Sequence, residues 1–205
     1  MEKEETYSFE ELCKMSRSRD ALVRSDVASY LVNFTSKESK ELLIKLAADK
    51  DALVRTEALD SLCVFYSEDI EDFLVNAIKS EPDELARCYA ILSWADVAFA
   101  LGHNTPENSA FIEQVMHAED SQHCRTSCCY AQYIFGNKAK LDEMLTFLNN
   151  DDYNIRCSAI NLLREFVNSE NKEKISTAVR KLLESEPTAA VKDAAERLLA
   201  EALGR

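Results

Sequence analysis

The chain has 205 residues, 46% of them hydrophobic and 30% charged, which is too apolar for a disordered polymer and long enough to bury a sizeable core. Its 24 Lys and Arg stand against 37 Asp and Glu, and the net charge of −13 repels phosphate backbones and argues against nucleic-acid binding. Gly and Pro number only three each, a scarcity that disfavours strand-rich folds and predicts helices joined by short polar loops.

The amino-terminal Met1-Glu-Lys-Glu-Glu-Thr is charged and lacks the apolar run of an export signal. No stretch approaches the roughly eighteen consecutive apolar residues that would span a membrane. Seven cysteines in that setting read as reduced thiols, so a cytoplasmic location away from membranes is expected.

The first helical signal is also the first repeat. Asp20-Ala-Leu-Val-Arg24 recurs letter for letter as Asp51-Ala-Leu-Val-Arg55. Looser copies run from Asp83 to Arg87, Ser121 to Arg125, Asp152 to Arg156 and Thr188 to Lys192. The basic position advances by 31, 32, 38, 31 and 36 residues, a period in the range of solenoids and arrays.

Around each basic residue the apolar positions fall at −1, +3, +7 and +10, one face of a helix. The +3 position holds Val27, Ala58, Ala90, Cys128, Ala159 and Ala195, small or β-branched residues that let a neighbouring helix come close. The +7 position holds Leu31, Leu62, Trp94, Leu163 and Leu199, with Gln132 out of pattern. Between these helices lies a second amphipathic set, clearest at Ile70, Phe73, Leu74, Ala77 and Ile78 and again at Leu141, Met144, Leu145 and Leu148. Pro82 and Pro187 stand ahead of the third and sixth repeat helices, while Gly102 and Gly136 fall where helices should end. The expected architecture is all-α: a right-handed α-solenoid of about six antiparallel helix pairs, forming one domain over residues 1–205.

Helix pairs with an Asp-x-x-x-Arg entry to the second helix resemble the HEAT-repeat family, and more narrowly the short bacterial HEAT-like repeats of the phycobilisome-lyase type. The resemblance runs from Phe9 to Ala202, with a period shorter than the ~40–47 residues usual for HEAT arrays. It departs from the pattern at the fourth repeat, which lacks the Asp, and at the sixth, which has Thr188 and Lys192. The repeated Asp is a natural N-cap. The resemblance further implies that Asp20, Asp51, Asp83 and Asp152 join Arg24, Arg55, Arg87, Arg125 and Arg156 in a ladder between neighbouring repeats.

Cys124 and Cys128 share a helical face near His123 and invite a zinc reading. They also occupy the −1 and +3 core positions, where a buried thiol serves as a small hydrophobe, and no C-x2-C pair exists. No metal and no cofactor is therefore expected. His103, His117 and His123 fit no catalytic spacing, and isolated glycines cannot build a phosphate loop. The family resemblance admits lyases and alkylpurine DNA glycosylases. The glycosylases use a basic concave surface, which an acidic chain with Trp94 in a core position does not supply. The chain is expected not to be an enzyme.

In HEAT-like arrays the second helices line the concave face, so their non-core offsets should meet a partner. Those offsets hold Asp26, Glu57, Asp60 and Asp96, and in the middle repeats Tyr89, Leu92, Tyr130 and Ile134. An acidic groove with an exposed apolar centre predicts a protein-interaction scaffold for a basic or amphipathic protein or peptide. The alternative within binding proteins is an immunity or inhibitor protein that neutralises a basic toxin or nuclease.

Overall fold

The computed structural model describes residues 7–202, which contain twelve α-helices and no strand. The chain divides at His103 into two compact units. The first holds α1 (Phe9–Met15), α2 (Ala21–Leu31), α3 (Lys37–Leu46), α4 (Ala52–Ser61), α5 (Glu68–Ser80) and α6 (Glu84–Ala100). The second holds α7 (Pro106–Ala118), α8 (Gln122–Ile134), α9 (Lys140–Thr146), α10 (Tyr153–Phe166), α11 (Lys172–Leu183) and α12 (Ala189–Ala202). Short 3₁₀ turns, Leu62–Val64 and Phe147–Asn149, follow α4 and α9.

The repeated Asp starts the second helix in four of the six pairs. The side chains of Asp20, Asp51 and Asp152 accept the amide two residues on, at 3.0, 3.1 and 2.8 Å, and Asp83 accepts from Ala86 at 3.0 Å. Each bond satisfies a first-turn donor that the helix itself cannot. In the fourth repeat Ser121 performs the same task, accepting from Cys124 at 3.2 Å. Gly102 and Gly136 close α6 and α8 with φ of 77° and 106°, a left-handed conformation that other residues resist.

In the first unit α1 packs on α2, α3 on α4 and α5 on α6, while α4 also packs against both α2 and α6. In the second, α7 packs on α8, α9 on α10 and α11 on α12, with α10 between α8 and α12. The second helices thus form the continuous inner layer of each unit. The periodic apolar positions meet in this layer: Val27, Ala58, Ala90, Cys128, Ala159 and Ala195 are fully buried, as are Leu31, Leu62, Trp94 and Leu163. Gln132, which breaks the sequence pattern, is buried too and donates its amide to the Met116 sulfur at 3.6 Å.

Candidate functional site

The arginines of the repeat motif tie neighbouring second helices together. Arg24 donates through Nε and Nη2 to both carboxylate oxygens of Asp49, at 2.7 and 2.8 Å. Arg55 grips Glu81 in the same way at 2.9 and 2.8 Å, and Arg156 grips Glu186 at 2.7 and 2.8 Å. Such two-pronged bonds fix both distance and plane. Each of the three also donates Nη1 to a carbonyl in the loop before its own helix: Ser18 for Arg24, Asp49 for Arg55 and Asn150 for Arg156. Arg87 makes the equivalent loop bond, to the Glu81 carbonyl at 2.8 Å.

The acids in this ladder are not the repeated aspartates. Asp20, Asp51, Asp83 and Asp152 are turned along their own helices by the capping bond, and the arginines bind a carboxylate two residues ahead of the next cap. That carboxylate has a second duty. Asp49, Glu81 and Glu186 each accept the amide of the residue at the following cap position, at 2.9 Å in all three cases. The Arg24 and Arg156 bonds hold Asp49 and Glu186 below the usual carboxylate range, with the cap amides adding to the effect. Burial alone would raise Glu81, but the Arg55 and Asp83 amide bonds outweigh it and leave it lowered as well.

Arg125 stands apart. The position matching Glu81 is Asn150, which keeps the amide bond to Asp152 at 2.9 Å but offers no charge. Arg125 instead approaches Glu143 at 4.0 Å, in a half-exposed setting.

The residues expected to face a partner separate by unit. In the first, Asp26 is exposed on α2, while Glu57, Asp60, Tyr89, Leu92 and Asp96 are half-buried on α4 and α6. Ser93 on α6 donates to the Asp60 carbonyl on α4 at 3.1 Å, and with the Arg55–Glu81 tie nearer the helix starts this sets the two helices running in parallel. Their outward positions therefore form adjacent rows. Burial pushes the Asp60 carboxyl up to about 6, and the negative charges of Glu57 and Asp96 add to it. Burial likewise raises the Tyr89 hydroxyl, again with Asp60 and Glu57 contributing. Cys63 is pushed up to about 11 by burial and by Asp60 and Asp96. Three carboxylates, one tyrosine and one thiol thus share a negative, partly desolvated surface.

In the second unit the expectation fails at Tyr130. Its ring is only 8% exposed and stacks on Phe166 of α10, with centroids 6.2 Å apart and planes 22° from parallel. A large flat side chain on α8 gains more by lying against its neighbour than by standing in solvent. Tyr130 is core, and Ile134 beside it is half-buried. The exposed aromatic centre expected of these two residues is absent from the second unit.

The cysteines sit where the periodicity put them. Cys124 and Cys128 are fully buried, and burial raises the Cys128 thiol far above its ordinary value, with Cys124 and Cys129 adding to the shift. Among the described residues no group of three or more His, Cys, Asp or Glu is placed to hold a metal ion. No helix of these residues is long and apolar enough to cross a membrane.

Against known proteins, residues 9–95 match the family model for HEAT repeats. No curated protein matches the chain in sequence. Among solved structures, YibA of E. coli superimposes with a TM-score of 0.57 at 17% identity, over 95% of this chain and 70% of that one. A chain from the complex of CpcE and CpcF of phycocyanin lyase from Nostoc sp. PCC7120 superimposes with a TM-score of 0.54 at 15% identity, over 96% and 95%. At such identities the likeness is one of fold, and lyase activity remains a property of that complex. Residues 9–95 thus carry HEAT repeats by sequence, and nearly the whole chain shares the helical-repeat fold of these two structures.

Proposed function

We propose that the chain is a non-catalytic scaffold that holds a basic or amphipathic segment of another protein against the inner helices of its first unit. The observation that carries this reading is the crowding of Glu57 and Asp96 around half-buried Asp60, with Tyr89 beside Asp60 and Glu57, on the face of α4 and α6. Glu57 and Asp96 add repulsion to the burial that already disfavours the Asp60 carboxylate, and an arriving Lys or Arg relieves both. Half-buried Tyr89 and Leu92 supply flat apolar area beside that charge, the pairing of anchor and rim found at protein interfaces. The ladder of Arg24 and Arg55 serves this surface indirectly, by fixing the register of the helices that display it.

The test is a pull-down from the extract of the source cell with the wild-type chain and with a Glu57→Lys, Asp60→Lys variant. A basic protein recovered by the wild type and lost with the variant is the expected result. The same proteins recovered by both would remove the acidic face from the account.

A further inference from the structure

The motif that repeats letter for letter also repeats an exposed leucine. Leu22, Leu53 and Leu85 stand two residues before Arg24, Arg55 and Arg87, at the starts of α2, α4 and α6. They are 63%, 42% and 48% exposed. The second position of a capped helix is satisfied by any polar residue, so three successive leucines in solvent have no local structural cause. Because α4 packs against both α2 and α6, equivalent positions on the three helices are neighbours, and the leucines form a row along one edge of the inner layer.

The surroundings of the row are acidic one helical turn further along α2 and α4. One helical turn further along each helix stand Asp26, Glu57 and Tyr89, four residues from Leu22, Leu53 and Leu85 and on the same face. A turn beyond them on α4 lies Asp60. The turns before α2 and α4 are mixed in charge, with exposed Arg19 and Lys50 beside the capping Asp20 and Asp51. Neighbouring helices pack about 8–10 Å apart, so the row advances by about that distance per repeat, which a helix laid across it matches with seven residues at about 1.5 Å each. A strand, rising about 3.3 Å per residue with its side chains alternating, meets the same spacing every third residue and turns alternate anchors away.

We infer that the row of Leu22, Leu53 and Leu85 is the docking edge for an amphipathic helix of a partner protein, with apolar residues at seven-residue spacing on the leucines and Lys or Arg on the flank facing Asp26, Glu57 and Asp60. This rests on the scaffold reading and deepens it, since it names the conformation and polarity of the bound segment. Leucine caps the apolar stripe, and the acidic turn beyond it selects the basic flank.

The probe is a synthetic helix of about eighteen residues with leucines at seven-residue spacing and lysines on the adjoining flank, titrated against the full chain by fluorescence anisotropy. The expected result is binding at least about tenfold tighter than that of a peptide of the same composition in scrambled order. Leu22→Ser, Leu53→Ser and Leu85→Ser together should abolish that difference while keeping a cooperative thermal transition, because none of the three side chains belongs to the buried core. Equal binding of ordered and scrambled peptides, or no binding, overturns the inference. If the triple variant binds as the wild type does and Glu57→Lys, Asp60→Lys does not, the acidic face stands and the leucine row falls. If the wild type sediments as a dimer that the triple variant loses, the row is occupied by a second copy and the inference fails.

Discussion

Arg156 and Glu186 are joined by two parallel hydrogen bonds of 2.7 and 2.8 Å that tie the start of α10 to the turn before α12, with both residues less than a tenth exposed. One bond set does three things at once: it neutralises a buried acid, orients the amide that opens the last helix and fixes the spacing of adjacent repeats. Removing one member of a buried pair leaves the other uncompensated, so Arg156→Ala should destabilise the fold by about 3 kcal/mol. Arg125, whose acid position is Asn150 and whose approach to Glu143 is 4.0 Å, is the internal control. Arg125→Ala should cost less than about 1 kcal/mol. Denaturant midpoints of the two variants check this, and equal shifts would remove the ladder as a source of stability.

Asp60 behaves in the opposite sense. Its folded value near 6 lies above the ordinary carboxylate value, so the native chain holds a proton that the unfolded chain has released. Stability at this residue is therefore fully present below the unfolded value and declines as pH rises through the folded one. Asp60→Asn removes the charge and should stabilise the protein near neutral pH by on the order of 1–2 kcal/mol, after allowance for solvent screening. The gain should shrink as pH falls below the folded value and vanish only below the ordinary carboxylate value, where the carboxyl is protonated in both states. Melting curves across that range measure it, and a pH-independent difference would show that burial and the neighbouring charges do not raise Asp60 as described. A charge kept at a cost to the fold is what a binding surface carries.

Cys128 tests the choice between core thiol and metal ligand. The matching position holds Ala58, Ala90, Ala159 and Ala195, all fully buried, so an alanine fits the space. Cys128→Ala should cost about 1 kcal/mol for the small void it leaves. Excess zinc should leave the melting temperature of the wild type unchanged, since a ligand that binds only the folded state raises it. An upward shift that Cys128→Ala abolishes would establish a metal site.

Much of the fold was legible because the sequence repeats its own helix signals. Asp20, Asp51 and Asp83 announced helix starts, and the small residues from Val27 to Ala195 announced a close-packed inner layer. The ladder was legible on one side only. Asp49, Glu81 and Glu186 recur two residues ahead of the next cap, but that regularity appears only when the chain is aligned on the caps rather than on the arginines. Their pairing also spans some 25 to 30 residues, a separation set by helix packing. Tyr130 was misplaced for a related reason: its helical offset is solvent-facing in the first repeat, where Ser29 is exposed, but periodicity does not reveal that Phe166 lies within reach on the next helix. The leucine row stood in plain view within the repeated motif, and only its exposure in the fold separates it from the core pattern.

The central claim is that the acidic face of α4 and α6 attracts a basic partner, and it is tested most directly by the association rate of that partner as a function of salt. For the wild type the rate should fall steeply as salt rises, because screening weakens steering between opposite charges. For Asp60→Lys it should start lower and change little with salt, while dissociation stays close to that of the wild type. Identical salt dependence in the two proteins would contradict the account and place the binding surface elsewhere on the chain.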